Sequence, residues 1–79
     1  MGQVAEMKRC RLNSLDKDDR WMIGHNELRA LRKKFENREI TLQTLEARRK
    51  TIVDFISGNS NRVNSDGVIV EFYVGPSDG

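Results

Sequence analysis

Residues 21–56 read WMIGHNELRALRKKFENREITLQTLEARRKTIVDFI, and their apolar side chains recur at heptad spacing. A repeat of about 3.5 residues keeps one stripe of a helix turned toward a partner helix. The pattern therefore predicts a helical seam in this stretch. Its members fall into two sets, each spaced by multiples of seven: Trp21, Leu28, Phe35, Leu42 and Ile56 in the first, and Leu31, Leu45 and Ile52 in the second.

Polar residues indicate where helices begin and end in this region. Asn13 or Ser14 is suited to cap a helix that starts near residue 15, because the acidic residues that follow favour the positive end of the helix dipole. Asn37 can adopt the left-handed conformation that ends a helix, and Thr41 can cap a second one. The sequence thus predicts an antiparallel helical hairpin with helices at 15–36 and 41–57.

One continuous helix is the alternative arrangement, since no Gly or Pro interrupts residues 25–57. Complementary charges in neighbouring heptads favour a parallel pair of such helices. In that pair, however, Arg38 and Arg49 would each face their own copy, and a like-charge pair in a dry seam is costly. The hairpin removes Arg38 from the seam by placing it in the turn, and we favour it. Its seam is expected to pack against a second copy, giving a four-helix homodimer.

A strand is predicted after the hairpin, because 68–74 read VIVEFYV and such β-branched and aromatic residues favour extended structure. Alternation puts four apolar side chains of this strand on one face, where a partner strand from the loop, the N-terminal arm or another chain can cover them. They are Val68, Val70, Phe72 and Val74.

The predicted fold class is mainly α: a coiled-coil hairpin with a short C-terminal strand or β-hairpin. The predicted segments are an arm at 1–14, the hairpin at 15–57, a polar loop at 58–67, the strand at 68–75 and a tail at 76–79.

The composition limits how this chain can be stabilised. With 79 residues, 37% of them apolar and 33% charged, it is near the lower size limit for a self-sufficient core. Cys10 is its only cysteine and His25 its only histidine, so neither an internal disulfide nor a multi-histidine zinc site can form. Oligomerisation is therefore expected. A lone cysteine suits a reducing compartment, which predicts a cytoplasmic protein. No apolar run is long enough to predict a membrane span or a membrane partner.

No residue pattern predicts catalysis, a cofactor or a metal. The acidic residues of 16–27 have the spacing of a calcium-binding EF-hand loop, but Trp21 occupies the glycine position and Arg20 a ligand position. His25 has no converging second group for acid–base chemistry. Cys10 has no supporting histidine or resolving cysteine. We therefore predict a non-enzymatic protein without a cofactor.

Two basic clusters suggest a nucleic-acid interface, because side-by-side helices would bring them to one face matched to a duplex backbone. The net charge of only +2 and the interleaved glutamates favour an ordinary solvated helix surface instead. The clusters are Arg29, Arg32, Lys33 and Lys34, and Arg48, Arg49 and Lys50.

The run from Leu45 to Gly58, followed by Asp66-Gly67 and Val70-Glu71-Phe72, resembles the helix-then-hairpin half of small phage head–tail joining proteins. The resemblance covers about half of the chain. In that family a second helix follows the hairpin, and this sequence shows no counterpart, so no functional residue is transferred. The resemblance implies a phage structural protein.

The leading functional hypothesis is a small protein-interaction module that oligomerises through the seam and binds an unidentified protein partner. The partner would meet the C-terminal strand by strand addition, or the Trp21 end, or the charged helix faces. A viral or phage accessory or inhibitor protein fits the size. A nucleic-acid-binding protein is the main alternative, and a phage structural protein a lesser one.

Overall fold

The computed structural model describes residues 6–75, which form two helices and a three-stranded sheet. The elements follow in the order β1 (Met7–Leu12), α1 (Lys17–Glu36), α2 (Leu42–Ile56), β2 (Arg62–Val63) and β3 (Ile69–Val74). The fold is therefore α+β, and the prediction of a mainly-α coiled coil with one C-terminal strand or β-hairpin is wrong. The predicted tail and residues 1–5 of the predicted arm lie outside the described residues.

The sheet is mixed, and its strand order is β1-β3-β2. β1 pairs parallel to β3 with Met7 opposite Ile69, while β2 pairs antiparallel to β3 with Val63 opposite Val70. The arm was not predicted as a definite strand because basic residues dominate it and strand propensity depends heavily on tertiary context. Pairing with the apolar β3 makes β1 a strand despite its composition.

Asp16 caps the N-terminus of α1. Its carboxylate accepts a hydrogen bond from the Asp19 backbone N–H at 3.0 Å, and the Asp19 carboxylate accepts one from the Asp16 N–H in return. The cap thus lies two or three residues beyond the predicted Asn13 or Ser14. The Ser14 hydroxyl donates to Asp19 at 2.7 Å, and together with the Asp16 backbone bond it lowers the pKa of the Asp19 carboxyl. The carboxylate form is therefore the one that the folded chain favours.

A turn between α1 and α2 breaks what would otherwise be one long helix. Arg38, not Asn37, takes the left-handed conformation there, with φ of 61°. Asn37 is the C-cap of α1 with φ of −82°, and its N–H donates to the Lys33 carbonyl. Thr41 then caps α2 by accepting a hydrogen bond from the Thr44 N–H. The chain therefore has the hairpin, and the continuous helix is excluded.

The core lies between the hairpin and the sheet. Its fully buried side chains are Leu31 from α1, Ile52 and Phe55 from α2, and Val63 from β2. The Phe55 ring packs against that of Phe72 in β3, with centroids 5.4 Å apart. The sheet therefore covers part of the seam that was expected to pack against a second copy.

Gly24 allows α1 and α2 to approach closely. It is buried, and a Cβ at this position would overlap Cγ1 and Cδ1 of Ile56. We expect Gly24→Ala to destabilise the protein, because overpacking costs about 1–3 kcal/mol and the better helix propensity of alanine returns at most about 1 kcal/mol. Chemical denaturation followed by circular dichroism measures the change.

Ile56→Ala should rescue part of this loss, since it removes both overlapping atoms. The double variant should then be less destabilised than the sum of the single variants. Gly58→Ala is the control, because Gly58 has φ of +86° and open space around it. Alanine there should lower the stability through backbone strain, which Ile56→Ala cannot relieve. A stabilised Gly24→Ala protein would contradict the close approach.

Candidate functional site

The hairpin has an apolar surface on the side away from the sheet, called here the hairpin face. In α2, Val53 and Phe55 lie about 200° apart around the helix, so Val53 points away from the sheet when Phe55 points into it. On α1, residues seven apart form one stripe beside α2. The hairpin face consists of Trp21, Leu28 and Phe35 from α1 and Leu42 and Val53 from α2.

Three of these apolar side chains are exposed to solvent and are not packed into the core. Trp21 is 59% exposed, Leu42 56% and Val53 43%. Single exposed apolar residues are ordinary, but a contiguous apolar patch bordered by polar groups is typical of an interaction site. The Trp21 ring stacks against the neighbouring His25 ring, with centroids 4.2 Å apart, so a second flat side chain adjoins the tryptophan.

A groove between the two helices continues this surface. Its volume is about 440 Å³, and it is lined by Leu28, Leu31 and Phe35 from α1, Leu45 from α2, and the arginines Arg32 and Arg49. A second, more open hollow is lined by Glu46, Arg49, Lys50 and Val53. Arg49 borders both, so the hollow adjoins the groove, and the two together are called here the channel.

The residues that border the hairpin face carry mainly positive charge. Arg32 forms an ion pair with Glu36 one turn away at 3.2 Å, and both side chains are largely exposed. Within residues 6–75, Arg49 and Lys50 have no carboxylate within 4.0 Å. Glu46 is the one acidic residue that lines the channel. A ligand seated here would therefore meet more positive than negative charge.

The predicted seam is divided between the core and the hairpin face. Leu31 and Ile52 are fully buried inside the single chain, and Leu28, Leu45 and Ile56 pack partly against the same core. Phe35 lines the groove, while Trp21 and Leu42 are exposed. Both sets of the heptad pattern therefore contribute to the core, and the exposed members, Trp21 and Leu42, belong to the first set.

The seven basic residues predicted as a nucleic-acid face are not all on one face. Arg48 is half-buried and donates to the Ser65 carbonyl at 3.2 Å, in the loop before β3. The adjacent Arg49 lies instead on the groove side of α2. On α1, Lys34 pairs with Glu39 at 3.6 Å. Exposed positions remain at Arg29, Arg32, Lys33, Arg49 and Lys50.

The apolar residues predicted to receive a partner strand have other surroundings. Val70 and Phe72 pack against the core, Val68 precedes β3, and Val74 is 52% exposed. β3 lies between β1 and β2 and is the central strand of the described sheet. Strand addition at Val70 or Glu71 would have to displace one of these neighbours.

Two groups of residues were missed by sequence analysis. Arg20 joins α1 to the end of α2. In the sequence, the only indication of this role is that a cation stands among acidic residues. The second group lies on the sheet surface opposite the core: Met7, Arg9 and Arg11 of β1, Arg62 of β2, and Ile69, Glu71 and Tyr73 of β3. We call this surface the sheet face. In the sequence, the indication of this surface is the two-residue spacing of Met7, Arg9 and Arg11, since side chains two residues apart lie on the same face of a strand.

Comparisons with protein-family models, curated proteins and solved structures gave no match to this chain. They provide no support for the resemblance to phage head–tail joining proteins. In residues 6–75 no group of three or more His, Cys, Asp or Glu side chains is placed to hold a metal ion. Neither described helix is long and apolar enough to cross a membrane.

Proposed function

We propose that this protein is a non-enzymatic interaction module whose hairpin face binds an amphipathic helix of another protein. The observation that carries the proposal is the apolar groove lined by Leu28, Phe35 and Leu45. Further exposed apolar side chains lie on the same two helices: Trp21, Leu42 and Val53. Burying such side chains is favourable by about 1.5–3 kcal/mol each, which makes them suitable anchors for a partner.

A helix is the partner shape that the channel fits best. Two packed helices present a groove between parallel ridges, and a third helix seats its own ridge in such a groove at an interaxial distance of about 8–10 Å. Its apolar side chains at i, i+3, i+4 and i+7 would contact Leu28 and Phe35 on one side and Leu45 on the other.

The charge of the channel favours an acidic partner over a second copy of this chain. Arg32, Arg49 and Lys50 border the apolar surface. A twofold pairing of identical faces would bring these cations near their own copies, which opposes association. Glutamates or aspartates that flank the apolar stripe of a partner helix would instead meet them with opposite charge.

A synthetic amphipathic helix tests the proposal, with leucine at i, i+3, i+4 and i+7 and glutamate at the flanking positions. Trp21 is the only tryptophan, so its fluorescence reports directly on the hairpin face. We expect a blue shift on binding, and weaker binding when lysine replaces the peptide's glutamates. Leu42→Gln and Val53→Gln should each weaken binding about tenfold, since each removes an anchor worth about 1.4 kcal/mol or more.

Met22→Gln is the matched control, because Met22 is 57% exposed on α1 but lies about 100° around the helix from Trp21. It should leave binding unchanged. Equal weakening by Met22→Gln would contradict the assignment of the hairpin face. Light scattering that shows a dimer with Trp21 already shielded would identify a second copy as the occupant and overturn the acidic-helix proposal.

A further inference from the structure

The sheet face is open, because the helices cover only the opposite side of the sheet. Val63, Val70 and Phe72 pack toward the hairpin. Side chains alternate along a strand, so the residues between them point to the other side. Arg9 of β1 is 67% exposed there by side chain, and Arg62 of β2 53%.

Three strands contribute to one charge cluster on this face. Glu71 of the central strand lies between two arginines, 3.6 Å from Arg9 and 3.4 Å from Arg62. Its side chain is only 27% exposed, whereas the two guanidinium groups extend further into solvent. The carboxylate therefore holds two cations in place but neutralises only one of them. Each arginine therefore keeps guanidinium N–H groups that do not face the carboxylate and can donate to another anion.

An aromatic ring lies within this cluster. The guanidinium of Arg9 is stacked over Tyr73, 4.9 Å from the ring centroid. Arginine planes and tyrosine rings are the two surfaces on which proteins stack unpaired bases. The sheet face thus combines phosphate-binding groups with a stacking platform.

We propose that the sheet face binds single-stranded nucleic acid. Arg9 and Arg62 contact phosphates with their guanidinium edges, and one base stacks on the layer formed by Arg9 and Tyr73. A duplex fits less well, because its bases are already stacked on one another and are not free to lie on a flat platform. The proposal is independent of the proposed function, since the hairpin face and the sheet face lie on different sides of the molecule.

Fluorescence anisotropy with a short labelled single-stranded RNA tests the proposal, with the same sequence as a duplex for comparison. We expect the single strand to bind more tightly than the duplex. With two arginines engaged, the logarithm of the association constant should fall against the logarithm of salt concentration with a slope of about −1.4. Arg62→Gln should weaken binding and make this slope shallower by about 0.7.

Tyr73→Leu separates stacking from charge. It should weaken binding about tenfold and leave the salt slope unchanged, because it removes a stacking surface and no cation. Circular dichroism melting of the same variant confirms that the sheet is intact. If Tyr73→Leu has native stability and undiminished affinity, the stacking platform is refuted.

Glu71→Gln should strengthen binding several-fold, since Glu71 competes with phosphate for the two arginines. Glu36→Gln is the matched control on α1 and should have little effect, as should Arg29→Gln, which removes an exposed cation on the same helix. Equal effects at sheet and helix positions, tighter binding of the duplex, or no binding at low salt would each overturn the proposal.

Discussion

Replacing Phe55 with alanine is expected to unfold the protein, or to leave it marginally folded at room temperature. Phe55 is completely buried, and its ring contacts Phe72 on one side and the Arg20 guanidinium on another. Truncating a buried phenylalanine costs about 3–5 kcal/mol, and a single core in a chain of this size rarely supplies more than that. Circular dichroism during thermal unfolding measures the loss.

Two substitutions serve as comparisons for Phe55→Ala. Phe55→Leu keeps most of the apolar volume and should lose substantially less stability. Val53→Ala, two residues away on the exposed side of α2, should change the free energy of unfolding by no more than about 0.5 kcal/mol. A Phe55→Ala protein with the wild-type melting temperature would show that the core does not depend on this residue.

Arg20→Met is expected to cost about 3 kcal/mol, because it removes three hydrogen bonds made by a charged donor. The guanidinium donates to the carbonyls of Phe55 and Ser60, at 2.9 and 3.0 Å, and to the side-chain oxygen of Asn61 at 2.7 Å. It also places a positive charge against the C-terminal carbonyls of α2, where the helix dipole favours a cation. Methionine keeps the length and apolar stem of arginine and provides none of these interactions.

Arg32→Met is the matched control for Arg20→Met. Arg32 lies on the same helix, but its side chain is 80% exposed and its ion pair with Glu36 has i,i+4 spacing. Such a pair contributes only about 0.3–0.5 kcal/mol. Urea unfolding should therefore separate the two variants clearly. If both lose the same small amount, the bridge from α1 to the end of α2 is not a stabilising feature.

The hairpin, its turn and the C-terminal strand were accessible from sequence, whereas the other two strands of the sheet were not. Residues that favour helix ends are local signals, so Thr41 indicated the start of α2 without reference to the rest of the fold. β1 has no comparable local signal. Its pairing with β3 joins segments near opposite ends of the described chain, and its basic residues resemble those of a loose arm. Only the tertiary pairing makes it a strand.

The heptad pattern indicated which residues are apolar but not what covers them. Leu31 and Trp21 belong to the same pattern, yet one is buried against the sheet and the other is exposed on the hairpin face. A 3.5-residue repeat is satisfied equally by a second copy, by a partner helix or by a sheet of the same chain. Pairing of the N-terminal arm with the C-terminal strand was only one of three alternatives, so a sheet was not considered as the cover and the seam was assigned to a dimer.

The parallel pairing of β1 with β3 has a consequence for how the chain folds as it is made. β3 is the central strand, but it is synthesised after every element that it contacts. β1 and both helices are synthesised while the inner side of the hairpin is still uncovered. During that time β1 has no strand to pair with. Closing a pairing between such distant segments is entropically slow. Until β3 is available, Phe55 has no Phe72 ring to pack against, and the core between hairpin and sheet is incomplete.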